Sequence, residues 1–141
     1  MRYLKLTLAY DGSNYHGFQR QKNAVGIQQI VEKALSIIFG EEIKIAASGR
    51  TDTGVHAHAQ VISFATCGTV PTDKIVQAMS SYLPEDIVVW KAEEVTADFN
   101  ARYSALAKRY AYRILITEVV NPFERNYTKK KKKMPDLSLL Q

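Results

Sequence analysis

The chain is poor in cysteine, in long apolar runs and in cofactor-binding motifs, and each shortage removes a class of protein. Cys67 is the single cysteine, so no disulfide forms within the chain and no cysteine-rich zinc site can be assembled. No apolar stretch approaches the ~20 residues that cross a bilayer. The opening residues MRYLKLTLAY alternate apolar and polar instead of forming the continuous apolar segment of a secretory signal. A reducing, cytoplasmic setting without membrane association is the expectation. No nucleotide, flavin or metal motif stands out either.

Net charge is a weaker guide than it first looks. The chain of 141 residues carries +5, but Lys129 to Lys133 supply five lysines in a row. Residues 1–127 hold 14 Lys+Arg against 13 Asp+Glu, a net of +1. If the folded part binds phosphate, it does so through local clusters of arginine and lysine, not through overall charge.

The hydrophobic content of 46% suits one core-forming domain. Leu4, Leu6, Leu8 and Tyr10 alternate with Tyr3, Lys5 and Thr7, the pattern of a half-buried strand. From Gly26 to Phe39, Ile27, Ile30, Val31, Ala34, Leu35 and Ile38 follow helical spacing, and Gly40 is placed to end that helix. Short strands are predicted over 43–47 and 59–66. A second helix follows Pro71 and Thr72 to about Leu83, then a strand in EDIVVWKAEEV and a long last strand over 104–117. On that last strand Lys108, Tyr110, Tyr112, Ile114 and Ile116 would share a face. The order predicts an α+β sandwich of ferredoxin-like type with one appended strand, helices on one face of an antiparallel sheet and the other face free for a partner. After Tyr127 the text TKKKKKMPDLSLLQ has no usable periodicity. A like-charge block repels itself, so residues 128–141 are expected to remain solvated and disordered.

One loop carries chemistry. In SGRTDTGVHAHAQVISF, Gly49 and Gly54 bracket Arg50, Thr51, Asp52 and Thr53, and glycines permit the tight turns that display such residues. A free aspartate is ionised at neutral pH, so Asp52 is available as a nucleophile or base. On spacing alone, an ordinary Asx turn competes with that reading. His56 and His58, with His16, suggest a metal, but no carboxylate or cysteine cluster completes the set. Structural roles are the better assignment on the residues alone.

GRTDTGVHAHAQVISF, preceded by YDGSNYHGFQRQ and followed by DFNARYSALAKRYAYRI, resembles the tRNA pseudouridine synthase A family, whose members isomerise uridine to pseudouridine in the anticodon stem-loop of tRNA. The resemblance runs from about Leu4 to Tyr127. It implies that Asp52 is the catalytic nucleophile, that Arg50 holds the carboxylate and helps bring the nucleotide out of the stack, and that Tyr110 is the active-site tyrosine under the flipped base. It places NYHGFQRQ near the cleft, where Arg20 and Gln21 would touch backbone phosphates, with Arg102 and His58 in similar roles. No cofactor or catalytic metal is implied; tRNA and a second copy of the chain are the implied partners.

Family members are about twice as long, with a cleft between two similar halves. The resemblance therefore implies an N-terminal catalytic half, 1–127, with a C-terminal half missing and a tail unlike the family, as a truncated or frame-shifted and inactive form would have. The competing reading is a non-catalytic ferredoxin-like RNA-binding module, but the short aromatic motif of RNA-recognition domains is not found.

Overall fold

The computed structural model describes residues 1–140, which divide into two compact units, Met1–Ala107 and the residues from Lys108 onward. The first unit is a mixed α/β domain. It runs β1 (Arg2–Tyr10), α1 (Ile27–Phe39), β2 (Ala46–Ala47), β3 (Ala57–Thr66), α2 (Thr72–Tyr82) and β4 (Ile87–Val95). The sheet order is β2-β3-β1-β4, with every neighbouring pair antiparallel.

The alternation in β1 decides which face is buried. Leu4, Leu6, Leu8 and Tyr10 lie in the core with Ile62 and Phe64 of β3 and Ile87 and Val89 of β4. Ile27, Val31 and Leu35 of α1 and Ile75 and Met79 of α2 close over the same face. Each such side chain, fully buried, stabilises the fold by about 1.5–3 kcal/mol. Gly40 ends α1 in a left-handed conformation, as expected. Pro71 precedes α2, and Asp73 sits in its first turn, where a negative charge suits the helix dipole. No helix among the described residues is long and apolar enough to cross a membrane.

On the opposite face of the sheet the chain returns after β4. Ala101 N–H donates to Ser63 Oγ at 2.9 Å, and Lys5 Nζ lies 5.9 Å from the centre of the Phe99 ring. Lys5 and Lys91 both pair with Glu93 at 2.8 Å. The β1–β4 ladder shifts register between Thr7 and Leu8, and the β1–β3 ladder between Leu8 and Tyr10. Both irregularities fall at the end of the sheet where β3 leaves the 48–56 loop, a common place for a site to be shaped.

Two predicted strands are corrected. The 43–47 strand shrinks to Ala46–Ala47 because side chains, not a neighbouring strand, take the backbone groups before it. Ile43 N–H donates to Ser36 Oγ at 3.0 Å and Ile45 N–H to Glu32 Oε1 at 3.1 Å. The long strand over 104–117 is also absent. Tyr103 and Ser104 N–H both bond back to Asn100 O in a turn, the stretch to Arg113 has no regular structure, and only Ile114–Ile116 forms a strand, β5.

In the second unit β5 pairs in parallel with β6, Lys129–Lys131, and Leu137–Leu140 forms a short 3-10 helix. The lysine run thus contributes a strand, with all its side chains exposed except the half-buried Lys130.

Candidate active site

The 48–54 loop is held by the core on one side and by the 12–18 segment on the other. Tyr10 OH and Thr51 Oγ1 share a hydrogen bond of 2.7 Å, and Phe18 N–H donates to Thr51 O at 3.0 Å. Gln60 Nε2 donates to Gly49 O at 2.7 Å, and Ser48 Oγ donates to Gln60 Oε1 at 2.8 Å. Val55 N–H closes the turn onto Asp52 O at 3.1 Å. Gly54 uses the left-handed backbone that the loop was expected to need, at φ 77°; Gly49 does not. Gly12 is required for a different reason. A β-carbon there would lie 2.0 Å from the Val55 carbonyl oxygen, so only glycine lets the two segments approach this closely.

With its backbone tied down, the loop presents Arg50 and Asp52 outward. Both are exposed, and both line one open cleft of about 380 Å³ together with His16, Gly17, Gln19, Gln21, Thr51 and Thr53. Neither side chain makes an ion pair or side-chain hydrogen bond among the described residues. The guanidinium and carboxylate therefore share a cleft without the direct bond expected between them.

The remaining predicted residues are distributed differently. Gln21 lines the cleft, its amide donating to His16 O at 2.8 Å. Arg20 is engaged elsewhere: its guanidinium pairs with Glu32, whose side chain is only 3% exposed. Gln28 Nε2 and Ile45 N–H also donate to Glu32, each at 3.1 Å. A buried carboxylate needs such a set of partners, so Arg20 spends its charge on tying the 16–21 segment to α1. His58 is exposed on β3. Arg102, also exposed, lies with its guanidinium 5.5 Å from the Tyr103 ring centre. Tyr110 belongs to the second unit, 73% exposed and outside any strand, so the shared face with Lys108, Tyr112, Ile114 and Ile116 does not form.

Of the histidines, His16 lines the cleft, and His56 Nδ1 accepts from Gly12 N–H at 2.9 Å. The same nitrogen lies 3.1 Å from Asp11 Oδ1, but one nitrogen cannot both accept and donate. We assign the Gly12 bond, because Asp11 Oδ1 is already occupied by Ser13 N–H at 3.0 Å and Ser13 Oγ at 2.6 Å. Among the described residues no group of three or more His, Cys, Asp and Glu is arranged to hold a metal.

Sequence reasoning missed Tyr15, Gln60 and Glu32. The buried Tyr15 hydroxyl donates to Asp86, and burial followed by that bond pushes its pKa well above the ordinary tyrosine value. The only signal for Glu32 was its place beside the apolar stripe of α1, between Val31 and Ala34.

The fold and the cleft together define a mixed α/β domain that offers a carboxylate and a guanidinium on one rigid loop at the end of an antiparallel sheet. A family model described as tRNA pseudouridine synthase matches residues 7–104. The chain belongs to that family. It is 48% identical over 127 residues to tRNA pseudouridine synthase A of Thermoanaerobacter sp. (strain X514), covering 90% of this chain and 52% of the relative. Against the enzyme of that name from Lacticaseibacillus casei the identity is 48% over 129 residues, 91% of this chain and 52% of the relative. The chain spans about half the length of these curated relatives. The match to tRNA pseudouridine synthase A 2 of Clostridium perfringens, 44% identical, runs through all 141 residues and 58% of that protein. That alignment extends through the lysine run and the residues after it, whereas the other two cover about 90% of the chain.

Proposed function

We propose that this chain supplies the catalytic-aspartate half of a tRNA pseudouridine synthase, acting on uridine in the anticodon stem-loop. The observation that carries the reading is the shared cleft of Arg50 and Asp52 on a loop tied to the core through the Gly49 carbonyl and the Thr51 hydroxyl. The overall reaction exchanges the N1–C1′ glycosidic bond for a C5–C1′ bond; C5 loses its proton and N1 gains one. Asp52 serves it as a carboxylate nucleophile, either adding to C6 of uracil or displacing the base from C1′, and no electrons leave or enter the base. Arg50 steadies the carboxylate once the nucleotide is in place and helps hold the base out of the stack.

The order strand, helix, strand, strand, helix, strand supports a ferredoxin-like domain, with residues 1–127 as the catalytic half. Gln21, His58 and Arg102 meet the RNA backbone, with Arg20 contributing its half-exposed side. Tyr110 stacks under the flipped uracil. The enzyme works in the cytoplasm as a homodimer of full-length subunits.

The test uses this chain fused to the remaining half of the Thermoanaerobacter relative. Asp52→Asn keeps shape but not nucleophilicity, so tritium release from tRNA labelled at uridine C5 is expected to vanish while folding and tRNA affinity persist. Residual turnover within about tenfold of the parent, far less than the loss of a nucleophile brings, overturns the assignment and favours an RNA-binding role.

A further inference from the structure

We propose that Gln60 is a positioning residue for the Asp52 loop, acting on the Gly49 carbonyl before Arg50 and, through the Tyr10 hydroxyl, on the Thr51 hydroxyl after it; the proposal rests on the reading of that loop as the catalytic one. Gln60 pairs with Leu8 across the β1–β3 ladder and is only 6% exposed. Ile62 and Phe64, farther along the same strand face, are apolar core, so packing alone asks for no amide here. What the amide does is read from its partners.

A primary amide has two N–H donors and an oxygen with two lone pairs. Gln60 Nε2 donates to Gly49 O at 2.7 Å and points toward the Tyr10 hydroxyl at 3.5 Å. Its Oε1 accepts from Ser48 Oγ at 2.8 Å and from Val61 N–H at 3.2 Å. The Gly49 carbonyl can only accept and the Val61 N–H can only donate, so these two partners fix which way the amide faces. Tyr10, 4% exposed, extends the network to Thr51 Oγ1. Ser48, Gly49 and Thr51 are thereby all tied to the core network, and Arg50 and Asp52, the two charged residues of the loop, line the cleft together with Thr51 and Thr53.

Without the amide, the Gly49 carbonyl and the Ser48 hydroxyl lose their partners, and the loop gains freedom where the carboxylate must be held to a fraction of an ångström. A misplacement of about 1 Å costs on the order of a hundredfold in rate, whereas the residues that would meet RNA are untouched. Ser63 provides the control. It is equally buried on β3, but its hydroxyl bonds to Ala101 N–H instead of the loop.

The experiment has two arms. In the 141-residue chain, hydrogen exchange at the Ser48, Gly54 and Val55 amides, which bond to Val61 O, Tyr15 O and Asp52 O, is expected to quicken at least about tenfold in Gln60→Leu, the exchange signature of local opening. Tyr10→Phe, which deletes one oxygen and leaves the ring packed, shifts the same amides in the same direction; Ser63→Ala leaves them unchanged. In the fusion with the relative's second half, Gln60→Leu lowers kcat by about 10–100-fold with KM nearly constant, and Ser63→Ala keeps kcat. Unchanged loop exchange in Gln60→Leu and Tyr10→Phe, or an equal kcat loss in Ser63→Ala, overturns the proposal. A parent fusion without turnover would count against the catalytic reading alone, and the exchange arm would still decide the role of Gln60.

Discussion

The two compact units differ in how their side chains are satisfied. Residues 1–107 bury a core that joins β1, β3 and β4 to both helices. From Lys108 onward no described residue is buried, and Tyr110, Tyr112, Val119 and Phe123 are all more than 70% exposed. Charge divides the same way. Residues 1–107 carry 10 Lys+Arg against 11 Asp+Glu, while 108–141 carry 9 against 3. On the proposed reading, the unit that performs the chemistry has almost no net attraction for a polyanion, and the unit that attracts it has no core of its own. Exposed apolar surface of this kind promotes association.

The sharpest break of that comparison is one methyl group in the first unit. Gly12→Ala forces a β-carbon onto the Val55 carbonyl and is expected to destabilise the chain by about 3 kcal/mol, read as a lower urea midpoint. Tyr112→Ala, in the second unit, should shift the midpoint by no more than about 0.5 kcal/mol. Arg20→Ala leaves the buried Glu32 carboxylate with two neutral donors and is expected to cost about 2 kcal/mol, partly restored by Arg20→Lys.

Replacing Lys129 to Lys133 with glutamine tests the other side. Stability should hardly change, while tRNA affinity at ~0.15 M salt falls about tenfold and the slope of log K against log salt becomes shallower by up to about 4. An unchanged slope would remove the lysine strand from RNA binding. A further effect is confined to high pH. Because the folded chain holds the Tyr15 hydroxyl above its ordinary 10.0, the bond to Asp86 contributes fully below pH 10 and is lost as pH rises beyond it. Between about pH 10 and 11, the parent should lose stability faster than Tyr15→Phe, by up to about 1.4 kcal/mol per pH unit.

Most of the first unit was legible in the sequence, because its periodicities find partners within it. The alternation of β1 is matched by β3 and β4, and the helical stripe ending at Gly40 has a sheet face to cover. Over 104–117, Lys108, Tyr110, Tyr112, Ile114 and Ile116 fall at every second position, yet only Ile114–Ile116 finds a ladder. Period two makes a strand only where another edge accepts its hydrogen bonds. The site was legible as a motif centred on Arg50 and Asp52. Its support was not, since Gln60, Tyr15 and Glu32 act through bonds to residues 11 to 71 positions away, and single residues at such separations leave no local pattern.

The most direct test of the central claim is tritium release from uridine-labelled tRNA by the purified 141-residue chain, alone and with the second half of the Thermoanaerobacter relative supplied in trans. The account predicts little or no release by the chain alone, since one wall of a cleft cannot position a flipped nucleotide. It predicts release when the second half is added and none when the chain carries Asp52→Asn. Robust turnover by the chain alone, or turnover by the Asp52→Asn chain with the second half present, would contradict it.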